Sequence, residues 1–247
     1  MSLYYEHTIR LSGMDADGRG ICKASALLNH LQVAAALAAE DGGFSREMLV
    51  ERYGAFWMLA RSWFHLKRPL GWEDEITIRT WHRGGKGALM YRDYDIYVGD
   101  ELVGESVSGW VLASMEGHKM IRLSSIKELN NTDGGELCKK MTLNKLRGPA
   151  ELREVERRPM RYSDTDINGH VNNTRYADFA CDALDMDRLE QGHFLSTMQI
   201  GYLAECRPGD VLSIQTGEQE GGHYVCGLDR EGKSRFEAEL FFGETLP

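Results

Sequence analysis

Apolar residues recur at helical spacing twice along the chain. Between residues 13 and 40 a polar Asp/Gly loop leads into Leu27, Leu28, Leu31, Ala34, Ala35 and Ala38 on one face. Between residues 163 and 187 the order returns, with Tyr176, Phe179, Ala180, Ala183 and Leu184 on one face. Each stretch predicts one buried helix. Behind each helix come apolar segments set off by Gly and charged turns, the period-two alternation clearest at Ile76, Ile78 and Thr80. Strands are predicted at 56–65, 75–82, 88–98 and 101–113, and again at 194–206, 211–216, 223–229 and 234–242.

The chain therefore predicts two copies of one unit: a loop, a helix, then an antiparallel meander. Too little helix remains for a parallel βαβ sheet, so the class is α+β, each sheet wrapped around a single helix. Two such units with open sheet edges are expected to join edge to edge, which removes the liability of unpaired strands. Between them, residues 130–158 are polar and irregular, with Asn130-Asn131-Thr132-Asp133-Gly134-Gly135 and Gly148-Pro149 marking turns. The expected division is an N-terminal unit 1–130, a linker 131–156 with room for a short helix, and a C-terminal unit 157–247.

Composition narrows the class. With 42% hydrophobic residues among 247, the chain can bury a sizeable core. No run approaches the roughly 20 apolar residues of a membrane span, and residues 1–10 lack a signal-peptide pattern, so a cytoplasmic protein without membrane contact is expected. Cys22, Cys138, Cys181, Cys206 and Cys226 form no CxxC pair and read as reduced thiols, with no metal site or cofactor expected. A net charge of −9 argues against nucleic acid as a partner.

The duplication supplies an internal control. MDADGRG (14–20) lies on SDTDING (163–169), so Asp17 matches Asp166, Arg19 matches Asn168 and Ile21 matches His170. LKRP (66–69) is paired with ECRP (205–208), setting Leu66 and Lys67 against Glu205 and Cys206. Scaffold positions agree between the copies and the polar ones do not, which makes Asn168, His170, Glu205 and Cys206 candidates for function.

These residue types suit acyl transfer. His170 precedes a helix start capped by Asn172 or Asn173, where backbone N–H groups and the helix dipole favour a developing oxyanion. An imidazole can relay a proton at neutral pH, with Asp166 or Asn168 fixing its orientation. Glu205, expected to reach in from a strand, shares the base role. Cys206 is open to two readings, nucleophile or buried small residue, and its strand position beside Glu205 favours the second. His30, His65, His82, His118, His193 and His223 read as structural or surface residues.

The stretches SDTDINGHVNNTRY (163–176) and YLAECRPGD (202–210), supported by FWMLARSWFHLKRP and EITIRTW, resemble the acyl-acyl carrier protein thioesterases of plants and bacteria. The resemblance covers nearly the whole chain and implies a tandem hotdog fold. It implies hydrolysis of fatty acyl-carrier thioesters, with Asp166, Asn168, His170, Glu205 and Cys206 at the catalytic positions. It also implies that the first unit shapes the acyl tunnel, for which Trp57, Met58 and Trp110 are the candidates, with Asn172 as a further substrate contact. Carrier proteins are acidic, and Lys139, Lys140, Lys145, Arg147, Arg153, Arg157, Arg158 and Arg161 form the candidate docking patch. An acyl-CoA thioesterase and a non-catalytic acyl-binding regulator are the alternatives. Monomer and homodimer are both open.

Overall fold

The computed structural model describes residues 4–86, 88–122, 126, 129 and 139–245. Its longest helix, α1 (Ala24–Asp41), buries Ala24, Leu27, Leu28, Leu31, Ala34 and Ala35, the small residues allowing close approach of the sheet. A short helix that the apolar pattern did not predict, α2 (Arg46–Tyr53), follows. Ser45 caps it by accepting from the Met48 N–H, and Gly54, at φ 57, closes it. Its one buried residue is Leu49, so it carries almost no periodic signal. In the second unit α3 (Asn173–Asp182) buries Tyr176, Ala177, Phe179 and Ala180. It stops short of Ala183 and Leu184, which pack against the core from beyond its end.

The strands are β1 (Tyr5–Arg10), β2 (Ala55–Leu66), β3 (Glu75–Lys86), β4 (Leu89–Val98), β5 (Glu101–Ser114) and β6 (Met120–Ile121) in the first unit. The second has β7 (Arg153–Pro159), β8 (His193–Tyr202), β9 (Val211–Gln219), β10 (Gly222–Leu228) and β11 (Ser234–Glu244). All join one sheet in the order β1-β3-β4-β5-β2-β8-β11-β10-β9-β7, with β6 against β5. The second half of that order mirrors the first. The units are not simple meanders, because β2 and β8 skip their sequence neighbours to pair with β5 and β11 and, across the seam, with each other. Along the seam Arg61 stands opposite Gly201, Trp63 opposite Gln199 and His65 opposite Thr197. This is the edge-to-edge tandem hotdog that the duplicated pattern and the resemblance led us to expect.

One core serves both units. Leu27, Leu31 and Ala34 of α1 meet Phe179 and Tyr176 of α3, with Phe64, Ile78, Tyr94, Met198, Ile200 and Phe236 from the sheet around them. Fully burying one such leucine or phenylalanine contributes about 1.5–3 kcal/mol. The two helices pack on each other, so neither unit closes its core alone.

The connection between units differs from the expected linker. Residues 131–138 lie outside the described residues. From Lys139 the chain runs across the sheet as an extended strap without a helix. Arg83 donates to the Lys139 and Met141 carbonyls, Arg61 to Leu143 O at 2.6 Å, Gln199 to Asn144 O at 2.8 Å, and Leu146 N–H to Glu237 Oε1 at 3.0 Å. The strap thus fastens one unit to the other. Strand β7 begins at Arg153, inside the stretch expected to be linker, and pairs with β9. Its residues are almost all polar and exposed, which is why no strand alternation was visible. Among the described helices none is long and apolar enough to cross a membrane.

Candidate active site

Two loops with the same turn hydrogen bonds precede α1 and α3, the first alone adding a bond from Ile21 N–H to Asp17 Oδ1 at 3.0 Å. Asp17 N–H donates to Ile21 O as Asp166 N–H does to His170 O, and Gly20 N–H donates to Asp17 O as Gly169 N–H does to Asp166 O. In both, the Asp carboxylate accepts the N–H of the residue two further on, Arg19 or Asn168, at 2.8 Å. Gly20 and Gly169 sit at φ 76 and 74, where a side chain would strain the turn. Asp166 is therefore the turn's own brace, and it fixes the His170 backbone. Among the described contacts neither Asp166 nor Asn168 touches the imidazole, so the expected orienting role does not arise through the ring.

The ring's partners come from the loop after β8. Nε2 of His170 has hydrogen-bond geometry toward Arg207 Nη2 at 3.1 Å and lies within ion-pair distance, 3.1 Å, of Glu205 Oε2. The two contacts exclude each other in proton terms. Nε2 can donate to Glu205 only when protonated and accept from Arg207 only when not. A nitrogen held between a carboxylate and a guanidinium is placed to gain and lose a proton with little movement. His170 is largely buried, its side chain 14% exposed, whereas the Glu205 side chain is 33% exposed and open to water.

The pairing of halves needs one correction. Cys22 N–H donates to Leu70 O as Val171 N–H does to Cys206 O. Gly71 N–H donates to Asp74 Oδ2 as Arg207 N–H does to Asp210 Oδ2. Leu66 and Tyr202 each end their strands. So Glu205 stands opposite Pro69 and Cys206 opposite Leu70, not opposite Leu66 and Lys67. The shared Arg-Pro dipeptide is a coincidence of sequence that hid the true register. It also follows that Glu205 and Cys206 lie in a loop and not on a strand, since β8 ends at Tyr202.

Register clarifies Cys206. It is 1% exposed and its counterpart Leu70 is 0% exposed, so both plug the core at the same place. Burial pushes the Cys206 thiol above its usual range, only partly offset by the neighbouring Tyr176 and Arg235 side chains. Asn172 is the N-cap of α3, its side-chain oxygen accepting from Thr174 N–H at 2.9 Å and Thr174 Oγ1 at 2.8 Å. Its remaining amide N–H groups are what it can offer a ligand. The N–H groups of Val171, Asn172 and Arg175 are bonded within the protein, to Cys206 O, Asp164 O and Asn172 O. The expected oxyanion site at the helix start is correspondingly narrow. Among the described hydrogen bonds none takes the His170 N–H or the exposed Asn168 side-chain amide.

A residue that sequence reasoning set aside also enters. His118, in the turn between β5 and β6, puts Nδ1 3.3 Å from Glu205 Oε1. Its ring meets His170 edge-on at 6.2 Å between centroids and Phe56 at 5.3 Å. Nothing local in its sequence marks it, because Glu205 and His170 lie in the other unit.

Of the tunnel candidates, Trp57 and Trp110 share a small cluster with Ala55, Met90, Leu112, Ile126 and Leu129. Met58, adjacent to Trp57 along β2, projects to the opposite face. On the other side of the pseudo-symmetric pair, a cavity of about 440 Å³ is lined by Arg19, Ile21, Leu27, Phe64, Pro69 and Phe194 among others. It is the first unit's version of the His170 site, with Ile21 and Pro69 where the second has His170 and Glu205. Among the described residues no group of three or more His, Cys, Asp or Glu is placed to hold a metal ion.

Three of the eight cations in the basic patch expected for carrier docking are paired with carboxylates of this chain. Lys139 Nζ lies 2.7 Å from both Asp95 and Glu105, Arg157 pairs with Glu154 at 3.0 Å, and Arg158 pairs with Glu156 at 3.0 Å and Asp182 at 2.8 Å.

Comparison with known proteins follows the same division. Residues 2–128 match the family model of the acyl-ACP thioesterase N-terminal domain, and residues 149–240 that of the C-terminal domain. The chain is 26% identical over 210 residues to the oleoyl-acyl carrier protein thioesterase of Coriandrum sativum, covering 77% of this chain and 54% of that protein. It is 26% identical over 220 residues to the dodecanoyl-[acyl-carrier-protein] hydrolase of Cinnamomum camphora, covering 81% and 56%. It thus spans about half the length of the curated relatives it matches. Among solved structures, an acyl-ACP thioesterase from Bacteroides thetaiotaomicron superimposes with a TM-score of 0.86 at 22% identity, covering 98% of this chain and 100% of that one. The 12:0-ACP thioesterase from Umbellularia californica gives 0.78 at 18%, covering 99% of both. With both domain models matched in order across most of its length, this chain belongs to the acyl-ACP thioesterase family.

Proposed function

We propose that this chain hydrolyses fatty acyl thioesters of acyl carrier protein, releasing the free fatty acid and the carrier thiol. The observation that carries the reading is the placement of His170 Nε2 between Glu205 and Arg207 at the mouth of the second unit's loop. In this reading Glu205, open to solvent, takes a proton from a water as the water oxygen attacks the thioester carbonyl carbon. His170 steadies the carboxylate and passes the proton onward. The carbonyl oxygen, negative in the tetrahedral intermediate, is met by the His170 N–H and the Asn168 amide. Collapse of the intermediate breaks the C–S bond, and the relayed proton goes to the departing thiolate. Asp166 keeps the loop in shape, and Cys206 stays in the core without forming a covalent intermediate. The first unit, 1–130, shapes the acyl site with Trp57 and Trp110, while the second, reaching back to the start of β7, carries the chemistry.

The test is turnover of matched acyl-carrier and acyl-CoA thioesters by the purified chain, with released thiol and free fatty acid both measured. Preference for the carrier substrate supports the reading, and equal or better turnover of acyl-CoA replaces it with an acyl-CoA thioesterase. Tight binding without thiol release identifies a regulator.

A further inference from the structure

Glu205 carries a geometric problem that the pair with His170 does not solve. Its side chain is 33% exposed, and a solvated glutamate samples many rotamers, so one contact to a ring nitrogen leaves the carboxylate free to swing about it. The second carboxylate oxygen is held from the other unit. Oε1 faces His118 Nδ1 at 3.3 Å while Oε2 faces His170 Nε2 at 3.1 Å, so two imidazoles grip the carboxylate, one oxygen each.

His118 is itself held in place. Its backbone sits at φ 50, in the left-handed region where a non-glycine residue is uncommon, and the preceding Gly117 is at φ 70. The paired left-handed residues set the ring of the β5–β6 turn against the edge of Phe56, with the His118 side chain 40% exposed and its contacts to Phe56 and Glu205 made along one side. Residues in sparsely populated backbone regions persist where the surroundings over-determine them, and functional sites are where such residues gather.

We propose that His118 is a positioning residue of this site, reaching across from the first unit to fix the Glu205 carboxylate against His170. The inference rests on the reading that Glu205 and His170 are the reacting pair, and it makes the site a joint product of both units. The duplicated chain has then given the first unit a part in catalysis besides any acyl-chain binding: it supplies the second grip on the base.

Among the described residues, the charged and titratable groups at this cluster are Glu205, His170 and Arg207 from the second unit's loops and Arg235 of β11, which donates to the Glu205 carbonyl at 3.3 Å, and the test must separate the two imidazoles. NMR of the full chain with labelled histidines does so, with signals assigned through His118→Asn and His170→Gln variants. Glu205→Gln should shift the ring nitrogen and ring proton signals of both imidazoles, because both lose a facing carboxylate oxygen. Unmoved His118 ring signals overturn the contact.

Kinetics supply the second arm. His118→Phe keeps a ring against Phe56 but has no donor, and should lower kcat by roughly tenfold to a hundredfold, with KM within about twofold, the scale of losing a hydrogen bond to a charged group. His118→Asn tolerates the left-handed backbone and restores a donor near the Nδ1 position, so it should recover most of the loss. Wild-type kcat in His118→Phe, or an Asn variant no better than Phe, overturns the positioning role. A wild-type chain that releases no thiol sinks the hydrolase reading and the catalytic role of His118 with it, while the NMR arm still reports whether the two imidazoles share Glu205.

Discussion

Glu205 Oε2 stands 3.1 Å from His170 Nε2, and the backbone on either side of the pair is tied together, with Val171 N–H donating to Cys206 O. The loop before α3 and the loop after β8 are therefore joined through both backbone and side chains. The same backbone tie exists in the first unit between Cys22 and Leu70, with Ile21 and Pro69 at the side-chain positions. The fold holds two equivalent frames, and at these two side-chain positions only His170 and Glu205 can move a proton, Ile21 and Pro69 having no group that can.

Glu205→Gln preserves shape and removes the charge. Turnover of acyl-carrier thioesters should fall by roughly 10² or more with KM changed only a few-fold, the usual scale for losing a positioned acid-base group. Steady-state kinetics on the folded variant check this, and an unchanged kcat would remove Glu205 from the mechanism.

Cys206→Ala separates nucleophile from filler. A thiol that is buried and pushed up in pKa is a poor attacking group, so the variant should keep at least about a tenth of wild-type turnover. Mass spectrometry of the protein quenched during turnover should find no acyl group on Cys206. Finding one would overturn the water mechanism.

Lys139 is read here as a fastener of the strap and not as a carrier contact. Its ammonium joins Asp95 and Glu105, and its N–H donates to Asp93, which is fully buried beside Arg83. Lys139→Ala should lower unfolding stability by about 2–3 kcal/mol, less than for a fully buried pair because Glu105 is partly exposed. KM for carrier substrates should stay put. Raised KM without loss of stability would restore the docking role.

Acid should loosen the first unit through His82. Burial, together with the Arg92 guanidinium opposite it on β4, pushes its imidazole down to about 4 from 6.5. An unfolded chain binds that proton near 6.5 and the folded one only near 4, so stability falls as pH drops through this window. The contribution is about 3 kcal/mol at most. Urea unfolding of wild type and His82→Gln from pH 7 to pH 4 should show the wild type losing more, and parallel losses would contradict it.

Much of this fold was legible because burial leaves a period. Leu27, Leu28 and Leu31 announce α1, and Ile76 and Ile78 announce β3. The silent elements are those that bury little: α2 with Leu49 alone, and the polar edge strand β7. Comparing the copies singled out His170 because Ile21 stands opposite it, but a chance Arg-Pro match misplaced Glu205 by register. Hydrogen bonds between distant loops fix that register, and no local pattern reports them. His118 was invisible for the same reason, since its meaning lies in a contact with the other unit.

The most direct test of the account is thiol release from a purified acyl-carrier thioester by the wild-type chain and by His170→Ala, with circular dichroism confirming that both are folded. The account predicts steady release of thiol and fatty acid in equal amounts by the wild type, and a rate lower by roughly 10² or more in the variant. A folded His170→Ala chain that hydrolyses the thioester at the wild-type rate would contradict it.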